Sequence, residues 1–320
     1  MRNKHTLYSQ QTLTALAPVL FLLMWSSGAV MAKVGLQHAS VWSFLIARSA
    51  ISLLLILLLL GLFRGWRSIR LPTLDWSTVC NVLGAGLLVQ AGYLSGYFLA
   101  LQHGLSPGIV TVILGLQPLL TPLLTRQKQS GLAVLCLLGG FFGLCLAVAG
   151  SSSGAELNWT GIICAGLALL AITWGTIFQS RITLDTMDSI WYQNSLALLV
   201  FSLIQLFQPW HMVWNQELIA SLLWMSVIVS SGALLLLMLM LKQRSASQVS
   251  VLFYAIPALA MLFDFIWFDT RLSLLSLSGL ALVAVSVWHY TRYQARLQQA
   301  SPARQPCQTE LVNAPGHHKG

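Results

Sequence analysis

Long apolar stretches separated by short polar connections run along almost the whole chain. At roughly 20 residues per crossing of a bilayer, they fall at 14–36, 41–63, 77–101, 106–125 and 131–150, then at 159–180, 188–207, 217–241, 246–268 and 272–291. The pattern predicts an all-α polytopic membrane protein with ten transmembrane helices. Residues 1–13 precede the first span. Residues 151–158 join two groups of five spans, and 292–320 turn to Gln, Ala, Pro and Ser without periodicity, which reads as a disordered tail. Val30-Met31-Ala32 resembles a signal cleavage site, but the apolar run from Leu13 to Leu36 is longer than a signal core, so an uncleaved first span is expected.

Composition excludes the alternatives. Of the 320 residues 57% are hydrophobic and 8% charged, against about a quarter charged in soluble domains. The net charge of +9 is explained by topology. All but three of the 17 Lys and Arg lie on segments that share a side with the N-terminus, among them Arg64, Arg67, Arg70, Arg126, Lys128, Lys242, Arg244, Arg292 and Arg296. The positive-inside bias makes both termini cytoplasmic, N-in and C-in, and leaves a nucleic-acid partner nothing to explain. Tryptophans such as Trp42, Trp76, Trp159, Trp210 and Trp214 mark span ends. Four of the five cysteines sit in apolar runs, with neither a disulfide framework nor a metal spacing. No metal or cofactor site is expected.

One spacing occurs twice. Ser106, Pro118 and Gly140 are separated by 12 and 22 residues, and so are Ser245, Pro257 and Gly279, each copy offset by 139 residues. Five spans per copy is an odd number, so the second half enters the membrane from the opposite side. The expectation is two inverted five-helix repeats, 14–150 and 159–291, the plan on which alternating-access carriers are built. Pro118 and Pro257 loosen matching points of spans 4 and 9. Trp25-Ser26-Ser27-Gly28 in span 1 and Trp174-Gly175-Thr176 in span 6 correspond more weakly.

These elements, with Arg48 early in span 2 and the proline-centred stretches of spans 4 and 9 followed by Gly140 and Gly279, resemble the EamA-like carriers of the drug/metabolite transporter superfamily. The resemblance covers most of 14–291. Arg126-Gln127-Lys128 and Asp269-Thr270-Arg271 depart from the acidic-basic pair that often follows the fourth span of each repeat in that family. The resemblance implies a secondary transporter of small metabolites in the bacterial inner membrane, not an enzyme, and an exporter of amino acids or related compounds. A second reading is an exchanger of organic anions such as phosphorylated metabolites or nucleotide sugars. A membrane-embedded enzyme is disfavoured because the spans hold no paired carboxylates, His-rich cluster or zinc motif, a passive channel is disfavoured by the inverted five-helix repeat, and without a phosphate-binding loop of the ATPase type ATP is not the direct drive.

Charges within spans are costly and face a partner or a wet cavity. Lys33, Arg48 and Asp264 all fall in the outer half of their spans, which predicts an ion pair of Asp264 with Arg48 or Lys33, or a proton-coupling role for Asp264; Lys33 is also placed to snorkel to the interface. A guanidinium can grip a substrate carboxylate with two hydrogen bonds, which gives Arg48 a recognition role. Gln90, Tyr93, Tyr97, Gln117, Gln179 and Tyr254 offer hydrogen bonds to a polar solute, and with Trp25, Pro118, Trp174 and Pro257 they complete the candidate substrate-binding or gating set. The expected site lies between spans 1, 3, 4 and 6, 8, 9. Gly92–Gly96 and Gly139–Gly143 fit close helix packing. The expected partners are a small-molecule substrate and the lipid bilayer; the sequence assigns no oligomeric state.

Overall fold

The computed structural model describes residues 2–64, 75–105, 107–151, 158–259, 263 and 273–300. They form ten helical segments: α1 (Arg2–Leu36), α2 (Val41–Arg64), α3 (Trp76–Gln102), α4 in two pieces (Pro107–Leu114 and Gln117–Leu124), α5 (Gly131–Ser151), α6 (Trp159–Gln179), α7 (Thr186–Gln205), α8 (Gln216–Gln243), α9 (Ala246–Leu259) and α10 (Leu274–Ala300). Seven of them, α1, α2, α3, α5, α6, α8 and α10, are long and apolar enough to cross a membrane. Leucines such as Leu54, Leu62, Leu135 and Leu167 are exposed on the outside of the bundle. The protein is an all-α polytopic membrane protein. Asp264, the candidate ion-pair or proton-coupling residue, and Ser106, the first member of the repeated spacing, lie outside the described residues, as do 152–157 of the linker and the tail beyond Ala300.

Helix starts are set by side chains that accept the first free amides. The Asp75 side chain accepts from Thr78 N at 3.1 Å, Asn158 from Thr160 N at 2.9 Å, Asp185 from Met187 N at 2.9 Å and Asn215 from Leu218 N at 2.8 Å. Ser245 and Gln248 close a reciprocal capping box at the start of α9.

Four helices are interrupted midway, in two matching pairs. α3 widens into a π-helical stretch over Gly86–Tyr93, and α8 does so over Trp224–Ala233. Within the second stretch Ser231 Oγ also donates back to Ser226 O, five residues earlier, at 2.9 Å. α4 breaks at Gly115-Leu116, just before Pro118, and α9 tightens to 3-10 geometry over Val251–Tyr254, just before Pro257. Proline supplies no amide to the preceding turn, so each break falls where the ladder is already incomplete.

Packing joins the two groups of five. α1 lies on α8, α2 on α7, α3 on α6, α4 on α9 and α5 on α10. The α5–α10 seam is built from small residues: a Cβ at Gly143 would lie 2.9 Å from Gly279 O and from Val283 N. A Cβ at Gly96 of α3 would lie 2.7 Å from Cys164 O of α6. Both glycine runs are thus consumed by packing within the chain. At one end of the bundle the α1–α2 and α7–α8 connections meet in an antiparallel bridge between Ala39 and Met212, with Ser40 N donating to His211 O at 2.9 Å and Val213 N to His38 O at 2.8 Å. His38 Nε2 lies 2.7 Å from Glu217 Oε2 beside it. At the other end Lys242 Nζ donates to Leu184 O at 3.0 Å, tying α8 to the α6–α7 connection.

Candidate functional site

The interrupted stretches of α3, α4, α8 and α9 converge on one cavity of about 880 Å³, its mouth included. The walls come from α1 (Trp25, Gly28), α3 (Gln90, Tyr93, Tyr97), α4 (Thr111, Gln117), α6 (Ile172), α8 (Met225, Ser230) and α9 (Phe253, Pro257), and α2 adds Arg48. One side is an aromatic shelf. Trp25 stacks on Tyr93 with centroids 6.2 Å apart, Phe253 meets Trp25 edge-on at 5.8 Å, and Tyr97 continues from Tyr93 at 6.0 Å.

The polar groups are few and incompletely paired. Arg48 is 3% exposed, and its Nε donates to Ser230 Oγ at 2.6 Å, so the π turn of α8 holds the guanidinium in place. Its Nη1 is buried with no protein partner. Gln90, inside the π turn of α3, is 5% exposed and its Nε2 is likewise unpartnered. Gln117 is fully buried, with Nε2 donating to Thr176 Oγ1 at 3.4 Å. The Thr176 hydroxyl proton goes to Thr173 O at 2.9 Å. Thr176 can therefore only accept from Gln117, which fixes the amide orientation and leaves Gln117 Oε1 as an unpartnered acceptor. Buried polar atoms are rarely left unpaired in a folded protein, and an orphaned group marks a place for a water, an ion or a ligand.

Of the residues singled out from sequence, Trp25, Arg48, Gln90, Tyr93, Tyr97, Gln117 and Pro257 line this cavity. Pro118 is buried beside Gln117 but does not line it. Trp174 is 42% exposed on the outside of α6, and Lys33 is exposed too. Gln179 accepts from Gln193 Nε2 at 2.9 Å in a polar cluster between α6 and α7. Tyr254 donates to Leu137 O at 2.9 Å in the core between α5, α9 and α10. The postulated partner of Arg48 or Lys33, Asp264, is outside the described residues. Sequence reading missed Ser230, Thr111 and Phe253. The Ser230-Ser231-Gly232 run in the middle of an otherwise apolar span was the available signal for the first. Among the described residues no group of three or more His, Cys, Asp or Glu could hold a metal ion.

Residues 159–292 match the EamA-like transporter family. This stretch, less than half of the chain, is similar to an EamA-like domain. It supplies α6 to α10, and with them Ile172, Met225, Ser230, Phe253 and Pro257 of the cavity. A solved crystal structure has the same fold, with a TM-score of 0.71 at 20% identity over 90% of this chain and 99% of its own. No curated protein matches the chain in sequence.

Proposed function

We propose that the whole chain is a secondary transporter of small metabolites that works by alternating access, with the central cavity as its substrate site. The observation that carries this reading is the position of the cavity: it lies where interrupted helices from both halves of the chain converge, which is where carriers built from repeats bind their substrates. The likeness of residues 159–292 to the EamA-like transporter family supports it.

An inverted repeat of 14–150 and 159–291 is supported by more than the proline and glycine spacing. The π stretches begin at Gly86 and Trp224, close to the 139-residue offset of the sequence repeat. Exchanging α1–α5 with α6–α10 turns the α1–α8 contact into α6–α3 and returns α2–α7, α4–α9 and α5–α10 to themselves. This is how a two-fold related pair of halves packs. The apolar and charge patterns support ten spans with cytoplasmic termini, and the family likeness alone supports the inner membrane of a bacterium and export of amino acids or related compounds.

The test is counterflow in liposomes. Purified protein loaded with one unlabelled solute at a time, from a panel of amino acids, organic acids, sugar phosphates and cationic drugs, should show saturable, exchange-stimulated uptake of the labelled form of one class. Flux that rises linearly without exchange stimulation identifies a pore and ends the carrier reading.

A further inference from the structure

Taking the cavity as the substrate site, we propose that it recognises small organic carboxylates with an apolar body, the carboxylate being held by Arg48 together with Gln90. Among the described residues Arg48 is the only charged side chain in the lining, and its guanidinium is too deeply buried to be solvated by bulk water. A buried cation with an unpartnered N–H requires a compensating anion or acceptor. Ser230 occupies Nε alone, so the Nη1 edge stays available. Gln90 Nε2 adds a second unpartnered donor in the same cavity. Two donors, one of them charged, match the two oxygens of a carboxylate.

The rest of the cavity sets what the carboxylate is attached to. Trp25, Tyr93 and Phe253 offer faces and edges to an apolar group, and Leu114, Ile172 and Val229 continue the apolar wall. Among the described lining residues Gln117 Oε1 is the one buried amide oxygen without a partner, and it receives a hydrogen bond from a donor on that body. One cation balances one negative charge, which favours a carboxylate over a doubly charged phosphate monoester.

Binding is tested apart from transport, so its failure and that of the carrier reading can be told apart. The probes are leucine, its 2-keto acid (4-methyl-2-oxopentanoate), its decarboxylated amine (3-methylbutylamine) and glucose 6-phosphate. Each is titrated against the full chain in detergent while thermal unfolding is followed, because a ligand that binds only the folded state raises the transition temperature. The expected result is a saturable rise with leucine or the keto acid and none with the amine or the sugar phosphate. Arg48→Gln should abolish the rise. Gln90→Leu removes an unpartnered buried N–H donor, so the unliganded protein should unfold no earlier than wild type, while the half-maximal carboxylate concentration should increase about tenfold from the loss of one hydrogen bond to a charged group. The proposal is overturned if the amine or sugar phosphate stabilises as well as the carboxylates, if neither carboxylate stabilises, or if the Gln90→Leu protein responds to them as wild type does.

Discussion

Arg48 is tied down by one neutral partner, and this makes Ser230 more consequential than its size suggests. Ser230→Ala should leave Nε unpaired in a buried place and lower stability by about 1–3 kcal/mol, seen as a lower unfolding temperature; Ser230→Thr keeps the acceptor and should recover most of it. A Ser230→Ala protein as stable as wild type would mean that Arg48 is held by other contacts. Asp75 acts at a helix end. Its carboxyl is held below the ordinary range by the hydrogen bonds from Thr78. A depressed folded-state value means that Asp75 stabilises the helix above the unfolded carboxyl's range and loses that contribution as pH falls through the folded-state value. Asp75→Ala should therefore lower the unfolding temperature at neutral pH, with the difference from wild type shrinking in acid. What sequence makes visible at this scale is depth rather than rotation. Arg48, Gln90 and Gln117 stand out as polar residues in apolar runs and do face the cavity. Gln179 and Tyr254 stand out equally, yet turn toward Gln193 and Leu137. Nothing in an almost wholly apolar helix marks which side is inward, because lipid and protein core favour the same side chains.

At the scale of elements, the interruptions bring the polar groups together. Gln90 sits in the π stretch of α3 and Ser230 in that of α8, so both site residues come from widened turns that repeat across the halves. The prolines were legible as weak points, whereas the π turns carry no residue as diagnostic as proline. Glycine has the opposite character: its spacing is legible but its neighbours are not. Gly143 abuts the backbone of α10, while Gly166 has nothing within 4 Å of a built Cβ. Gly143→Ala should force α5 and α10 apart and destabilise the protein, whereas Gly166→Ala should be neutral or stabilise it by up to about 1 kcal/mol through helix propensity. Thermal unfolding of the two variants checks the seam, and equal behaviour would show that α10 can shift to admit a methyl group.

At the scale of the whole molecule, rocking of one half against the other requires contacts across the halves to break on the face that opens. The Ala39–Met212 bridge is such a contact, since it joins the α1–α2 connection to the α7–α8 connection. Its hydrogen bonds run from Ser40 to His211 and from Val213 to His38, so Ala39 and Met212 form a non-hydrogen-bonded antiparallel pair. Such pairs place their Cα atoms about 4.5 Å apart, inside the range of about 4.4–6.8 Å that a disulfide spans. In a background with Cys80, Cys136, Cys145, Cys164 and Cys307 replaced, Ala39→Cys with Met212→Cys should cross-link on oxidation. The link should stop counterflow, and reduction should restore it. Each single variant should transport under both conditions, since the bridge itself is backbone. The exposed His38–Glu217 pair beside it is worth at most about 1 kcal/mol, so it does not by itself hold this face shut. Counterflow that continues with the disulfide formed would mean that these two connections move as one body throughout the cycle, and the moving boundary would then have to lie elsewhere between the halves.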